Sequence, residues 1–268
     1  MPEGPEVKRN AVALAEAISG NTLNSVNVIS GRYTKKPVSD LENYRVNLPD
    51  KVLGVGVHGK FIYILCSSGW NIWSTLGMTG YWSKNRTKHS RVAIELEHNQ
   101  PVFFNDIRNF GTFKLVYGKD SLIKKLESLG PDLLDPEIEL SSVVKSLRKK
   151  NSWNICKALM NQQVIAGVGN YIKAEALWKS KISPHRIVKD LEDYELIELC
   201  DAAIQIMKSS YDSGGASFMT HKNFDGEEGT YATGFLCYGR KIDALGNEVI
   251  KIKTPDGRKT HWSPRRQK

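Results

Sequence analysis

The chain has 268 residues, 40% of them hydrophobic and 25% charged, which places it among globular proteins with room for two modest domains and excludes a disordered or low-complexity chain. Lys and Arg number 38 against 29 Asp and Glu, a formal net charge of +9, and that balance favours a polyanionic partner. Cys66, Cys156, Cys200 and Cys237 lie far apart with no Cys-x-x-Cys pair, so neither a disulfide framework nor a tetrahedral zinc site is indicated. The start is acidic and no apolar run reaches about 18 residues, which argues against a secretory signal and a spanning helix. Buried free thiols, an intracellular setting and no membrane association are the expectation.

The chain opens "MPEGPEVKRN". Proline after the initiator methionine normally leads to its removal, so Pro2 is expected to carry a free secondary amine. Residues 5 to 18 place Val7, Ala11, Leu14, Ala15 and Ile18 at helical spacing, with Pro5 in the first turn and Gly20 past the end. To about residue 117 the texture becomes short β-rich runs, "LNSVNVI", "KFIYILC", "NIWSTL", "RVAIEL" and "GTFKLVY", which predict a β-sandwich or barrel. "SLGPDLLDPEIEL", 128–140, reads as a linker. Helical patterns follow in "WNICKALMNQQ", "NYIKAEALWKS" and "YELIELCDAAIQIMKSSY", the first two separated by "VIAGVG". Residues 214–231 are glycine-rich and without period, a loop. "NEVIKIKTPDGRKTHW" alternates on both sides of Pro255-Asp256-Gly257, as a β-hairpin does. The expected division is a β-sandwich domain over 1–127, a linker over 128–140, a helical domain over 141–231 and a hairpin over 232–268.

A proline amine can attack a carbon that bears a leaving group, and the resulting iminium keeps its positive charge without a proton. A chain-terminal amine has a pKa of about 8, so a fair fraction is unprotonated near neutrality. Glu3 and Glu6 are candidates for the accompanying acid and water-positioning base. The plain alternative is a turn followed by acids that suit a helix N-terminus.

"MPEGPEV" resembles the start of the Fpg/Nei DNA glycosylases, formamidopyrimidine-DNA glycosylase and endonuclease VIII, and the likeness runs along the chain. "VHGKFIYI" is similar to a strand whose lysine, Lys60, contacts the lesion's phosphate. "LGMTG" and "DIRNFG" resemble loops that fill the gap left by an extruded base, which assigns Met78, Arg108 and Phe110; core packing is the alternative for Met78 and Phe110. An apolar wedge beside a planar cation is what an emptied stack needs. "VIAGVGNYIKAEALW" resembles a helix-two-turn-helix motif. There Gly167 and Gly169 permit close backbone approach, the helix amides point at phosphate, and Asn170 both caps the helix and bonds a phosphate.

The pattern departs at the end, where most members carry four zinc-ligating cysteines. Here Cys237 remains, and Ser263 and Arg266 stand where the second pair would fall. The chain is therefore identified as a zincless-finger, Nei-like member, with no metal and no cofactor, its hairpin held by cross-strand pairs and Trp262. Arg258 would be the finger arginine reaching a phosphate, an exposed hairpin charge being the alternative.

The resemblance implies a monomeric bifunctional glycosylase and abasic-site lyase of base excision repair, acting on damaged duplex DNA with single strands an open alternative. It implies catalysis by Pro2, Glu3, Glu6 and Lys60. "PEGPE" and the finger favour oxidised pyrimidines and hydantoins; "GGASF" and "CYGRK" favour 8-oxoguanine and ring-opened purines, the second choice. A rival of another class is a non-catalytic helix-two-turn-helix nucleic-acid binder.

Overall fold

The structure is a computed structural model that describes residues 1–216, 224 and 234–268, so the loop expected over 214–231 lies almost wholly outside the described residues. The chain divides into two compact units, one of Met1–Pro2, Glu6–Leu126 and Gly214–Thr230, the other of Glu3–Pro5, Glu127–Ser213 and Tyr231–Lys268.

The first unit carries most of α1 (Gly4–Ile18), which buries Val7, Ala11, Leu14 and Ile18 along one face, the i, i+4 stripe of an amphipathic helix. Eight strands follow: β1 (Thr22–Val28), β2 (Asp50–His58), β3 (Phe61–Cys66), β4 (Trp70–Thr75), β5 (Gly80–Ser83), β6 (Ser90–Leu96), β7 (Val102–Asp106) and β8 (Thr112–Tyr117). A short helix α2 (Leu41–Arg45) interrupts them and α3 (Lys119–Glu127) closes them. The strands are ordered β5-β7-β6-β1-β2-β3-β4-β8, with antiparallel neighbours. β1 meets β2 only at Thr22↔Lys51 and Leu23↔Asp50, so the sheet parts there into two four-stranded layers. The expected β-sandwich with its N-terminal helix is what the structure shows. Its core joins Leu14 and Ile18 to Leu23, Ile62, Ile72, Trp82, Ile94 and Phe104. Asn10, buried within α1, donates to the Trp82 carbonyl at 2.9 Å and accepts the Trp82 amide at 2.8 Å, which pins α1 to β5.

The second unit contains α4 (Leu140–Arg148), α5 (Ile155–Met160), α6 (Asn170–Lys179) and α7 (Asp193–Asp212). Every residue of α6 from Tyr171 to Trp178 is buried, so this helix runs through the unit's interior rather than along its surface. α7 opens with a capping box between Glu192 and Glu195. Strands β9 (Ile250–Lys253) and β10 (Lys259–Trp262) pair antiparallel, from Lys259↔Lys253 to Trp262↔Ile250, and form the expected hairpin. All four cysteines are free and buried, and burial pushes each thiol up to about 12. Among the described residues no helix is long and apolar enough to cross a membrane.

Replacing Asn10 with Ala strips both Trp82 backbone groups of their partner inside the core. The expected loss is about 3 kcal/mol, from two buried groups at roughly 1–3 kcal/mol each, read as a lower midpoint in thermal or urea unfolding.

Candidate active site

In the first unit, Pro2 and Lys60 line one pocket of about 150 Å³ together with Met1, Val7, Leu76 and Gly77. Residues far apart in sequence are thus brought to one concavity. Pro2 is buried and Lys60 half-buried. Lys60 does not lie on a strand as expected: it occupies the tight turn between β2 and β3, where His58 pairs with Phe61. The turn extends the lysine from the sheet's end rather than from its face. Glu6 is buried, and its Oε1 accepts the Ala216 amide at 2.8 Å.

The same unit assembles two loops around one acid. Buried Asp106 accepts the Thr79 hydroxyl at 2.5 Å through Oδ1 and the Gly111 amide at 2.7 Å through Oδ2, and Thr79 Oγ1 in turn accepts the Arg108 amide at 2.9 Å. Gly77 has φ +60, and a Cβ there would sit 2.5 Å from the Gly111 nitrogen, so the loop bearing Met78 lies directly against the loop bearing Phe110. Phe110 is 55% exposed and the Arg108 guanidinium stacks over its ring at 4.9 Å. Phe110 is therefore not a core residue, and Met78 is half-buried. The sequence signals neither Asp106 nor Thr79 as a site residue, although "DIRNFG" begins with that aspartate.

In the second unit Glu3 is 2% exposed. Its Oε1 accepts the Tyr171 amide at 3.0 Å and its Oε2 the Ile172 amide at 3.3 Å. This corrects two expectations. The N-cap of α6 is Gly169, and Asn170 is the first helical residue, with no cap bond of its own. Two of the amides expected to face a phosphate are already taken by a carboxylate, which suits the positive end of a helix. The reason is steric: a Cβ on Gly169 would lie 2.1 Å from the Glu3 carboxyl carbon, so glycine is required for that carboxyl to reach the helix. Gly167 accepts the Gly4 amide at 2.8 Å. Gln162 braces the turn by accepting the Gly167 amide at 3.0 Å and donating to Val168 at 3.0 Å, a role its sequence context does not signal.

Asn170 donates through Nδ2 to the Lys259 carbonyl at 3.1 Å, which ties α6 to the hairpin. Arg258 is exposed beside it at the hairpin tip. Preceding the hairpin, Glu175 accepts the amides of Leu236, Cys237 and Tyr238 at 2.8, 2.8 and 2.6 Å; burial raises this carboxyl above its ordinary value against their pull. Asp243 accepts the Trp178 indole N–H at 2.9 Å and the amides of Leu245 and Asn247 at 2.9 and 2.8 Å. Burial alone would raise Asp243, but these bonds outweigh it and hold it at about 2. His261 lies edge-on to Tyr238, and burial, with Lys251 and Lys173 nearby, lowers it to about 4.

Two family models match the chain: the formamidopyrimidine-DNA glycosylase N-terminal domain over residues 1–113 and the formamidopyrimidine-DNA glycosylase H2TH domain over residues 129–222. A formamidopyrimidine-DNA glycosylase of Mycolicibacterium gilvum is 32% identical, over 90% of this chain and 88% of its own. Among solved structures, the MutM (Fpg) protein of Thermus thermophilus is similar with a TM-score of 0.85 at 28% identity, covering 99% of this chain and 98% of that one. A Lactococcus lactis Fpg variant in complex with DNA containing Fapy-dG is similar with a TM-score of 0.87 at 26% identity, covering both chains completely.

Removing the Glu3 carboxylate, as in Glu3→Ala, is expected to speed hydrogen exchange at the Tyr171 and Ile172 amides by about tenfold or more while the rest of α6 stays protected. The stability that Asp243 contributes is complete above its ordinary value of 3.8 and is lost as pH falls toward 2. The Trp178 indole N–H resonance is expected to titrate with a midpoint near 2 and to stop doing so in Asp243→Asn.

Proposed function

The chain belongs to the formamidopyrimidine-DNA glycosylase family, DNA glycosylases of base excision repair, and from that membership we propose that it is a bifunctional glycosylase and abasic-site lyase with Pro2 as nucleophile. The observation that carries this is the pocket shared by Pro2 and Lys60: with Met1 removed, an amine nucleophile faces a cavity beside a fixed cation.

The Pro2 nitrogen attacks C1′ of the damaged nucleotide as the bond to the base breaks, and cleavage of the bond from C1′ to the ring oxygen then leaves an iminium between protein and deoxyribose. Two helix amides hold the Glu3 carboxyl in place. Glu3, the residue after Pro2, donates a proton to the sugar ring oxygen as the ring opens. Elimination of the 3′ and then the 5′ phosphate leaves a one-nucleotide gap. Glu6 positions water, and Lys60, Asn170 and Arg258 hold phosphates with Gly167 allowing the backbone close, while Gly169 makes room for the Glu3 carboxyl. Exposed Phe110, with Arg108 stacked on it and Met78 alongside, enters the emptied stack.

Zinc has no place in this reading. Ser263 and Arg266 stand where the second cysteine pair would fall, and Arg266 donates to the Trp178 carbonyl at 2.9 Å while its guanidinium lies 4.1 Å from the Trp178 ring centre. A cation in that position opposes a second cation, and among the described residues no cluster of three or more His, Cys, Asp or Glu is placed to hold a metal. Ser263 and Arg266 in place of the second cysteine pair support a zincless-finger reading. For the lesion, the relatives' names favour ring-opened formamidopyrimidine purines over the oxidised pyrimidines and hydantoins suggested by "PEGPE" and the finger.

Borohydride in the presence of abasic-site duplex is expected to trap a covalent adduct, whose mass places it on a chain lacking Met1. Pro2→Gly is expected to lose it; trapping at full rate by that variant, or no trapping by the native chain, would leave the non-catalytic binder standing. Glu3→Gln is expected to slow lesion excision by about 10²–10⁴-fold, the range of general acid catalysis. Incision of duplexes carrying formamidopyrimidine, 8-oxoguanine or thymine glycol is expected to be fastest on the purine lesions, and a thymine glycol preference would reverse that order.

A further inference from the structure

One ion pair lies entirely inside the second unit and has no part in the chemistry above. Lys173 Nζ donates to Asp256 Oδ2 at 2.6 Å, and the two side chains are 0% and 2% exposed. Lys173 sits on the buried face of α6, and Asp256 sits in the turn joining β9 to β10. The other Asp256 oxygen accepts the Thr254 hydroxyl. Thr254 Oγ1 also lies 2.7 Å from the Thr260 hydroxyl, and the Thr254 amide donates to the Arg258 carbonyl at 3.0 Å. The turn is closed by the Gly257 amide on the Thr254 carbonyl at 2.9 Å.

Asn170 and Lys173 are one helical step apart, i and i+3, on the same face of α6. One holds Lys259 and the other holds Asp256. Arg258 lies between those two anchored residues and is itself exposed. We propose that Lys173 and Asp256 are positioning residues for Arg258, an internal ionic latch that fixes the hairpin tip on α6. The inference rests on the reading of Arg258 as a phosphate ligand.

The physics of the latch is asymmetric. Removing one member of a buried pair leaves an uncompensated charge in the interior. Lys173 cannot reach water from the middle of α6, so relief comes by the hairpin lifting away and admitting solvent. Arg258 then loses its fixed place although its own side chain is intact. Replacing both members by apolar residues of similar length removes the charge that drives this, and the hairpin stays down.

The test is a double-mutant cycle on duplex DNA holding a tetrahydrofuran abasic-site analogue, with affinity read at several salt concentrations. Arg258→Ala in the native background is expected to weaken binding and lower the salt slope by about one. Asp256→Ala is expected to weaken binding by about tenfold and to lower the slope similarly, with Arg258→Ala adding less than about twofold on top, because coupled residues are not additive. Lys173→Met combined with Asp256→Leu is expected to return affinity to within about threefold of native and to restore the response to Arg258→Ala. Hydrogen exchange at the Thr254 and Gly257 amides, measured without DNA, is expected to quicken in Asp256→Ala and recover in the apolar pair. Full additivity of Asp256→Ala with Arg258→Ala, or unchanged exchange at those amides, would overturn the latch. Indifference to Arg258→Ala in the native background, with exchange behaving as expected, would instead remove the phosphate role of Arg258.

Discussion

A carboxylate stripped of water is costly unless its lone pairs are occupied, and backbone amides are donors that any loop can supply. This chain uses that exchange repeatedly. Asp106 organises the loops that carry Met78, Arg108 and Phe110; Glu3 meets the first turn of α6; Glu175 and Asp243 shape the segment before the hairpin. Asp106, Glu175 and Asp243 each fix residues of irregular backbone that have no ladder of their own, and Glu3 fills two first-turn amides of α6 that lack a helical partner. Without these acids the loops would have sequence but no defined conformation. The cations meant for the outside would then have no set position.

The same logic extends to the hairpin. Two strands of four residues are marginal alone in water and need another element to pack against. Here α6 takes that part. Its buried face supplies Lys173 to the turn and Asn170 to β10, while Glu175 and Trp178 engage the segment leading in. Arg266 covers the Trp178 ring. A helix buried from Tyr171 to Trp178 is unusual in carrying Lys173 and Glu175 at all, and both are accounted for by what they hold.

What could be read from the sequence followed from period and from local chemistry. The apolar stripe of α1, five of the eight strands and the Pro-Asp-Gly turn each signal themselves within a short window. β2 does not, because Gly54 and Gly56 look like turn residues; in the structure the Tyr63 ring of the paired strand lies over Gly56, where a Cβ would come within 2.2 Å. β5 is only four residues long and β7 begins directly after a proline. At the site, the identities of Pro2, Lys60, Arg108 and Phe110 were legible through motif resemblance. The carboxylates that organise their surroundings were not, since Glu3 meets Tyr171 and Glu175 meets Cys237 across distances that no local pattern spans. The local sequence predicts Asn170 as the cap of an isolated helix, whereas the distant Glu3 takes the Tyr171 and Ile172 amides.

The placement of these acids also bears on how a chain with 29 of them engages a polyanion. An exposed carboxylate near a phosphate groove repels; one turned inward, with its oxygens bonded to amides, spends its charge on the backbone it organises. Asp106 lies wholly buried behind exposed Arg108, and Asp256 is paired with Lys173 beneath exposed Arg258. In both loops the acid faces in and the arginine faces out. The net charge of +9 sets the long-range attraction, but it is this inward sorting that leaves cations rather than mixed charge at the loop tips. An acid that merely balanced the charge would not need burial, and one that merely capped a turn would not need an arginine two residues on; Asp106-Ile107-Arg108 and Asp256-Gly257-Arg258 join both requirements in the same three-residue spacing.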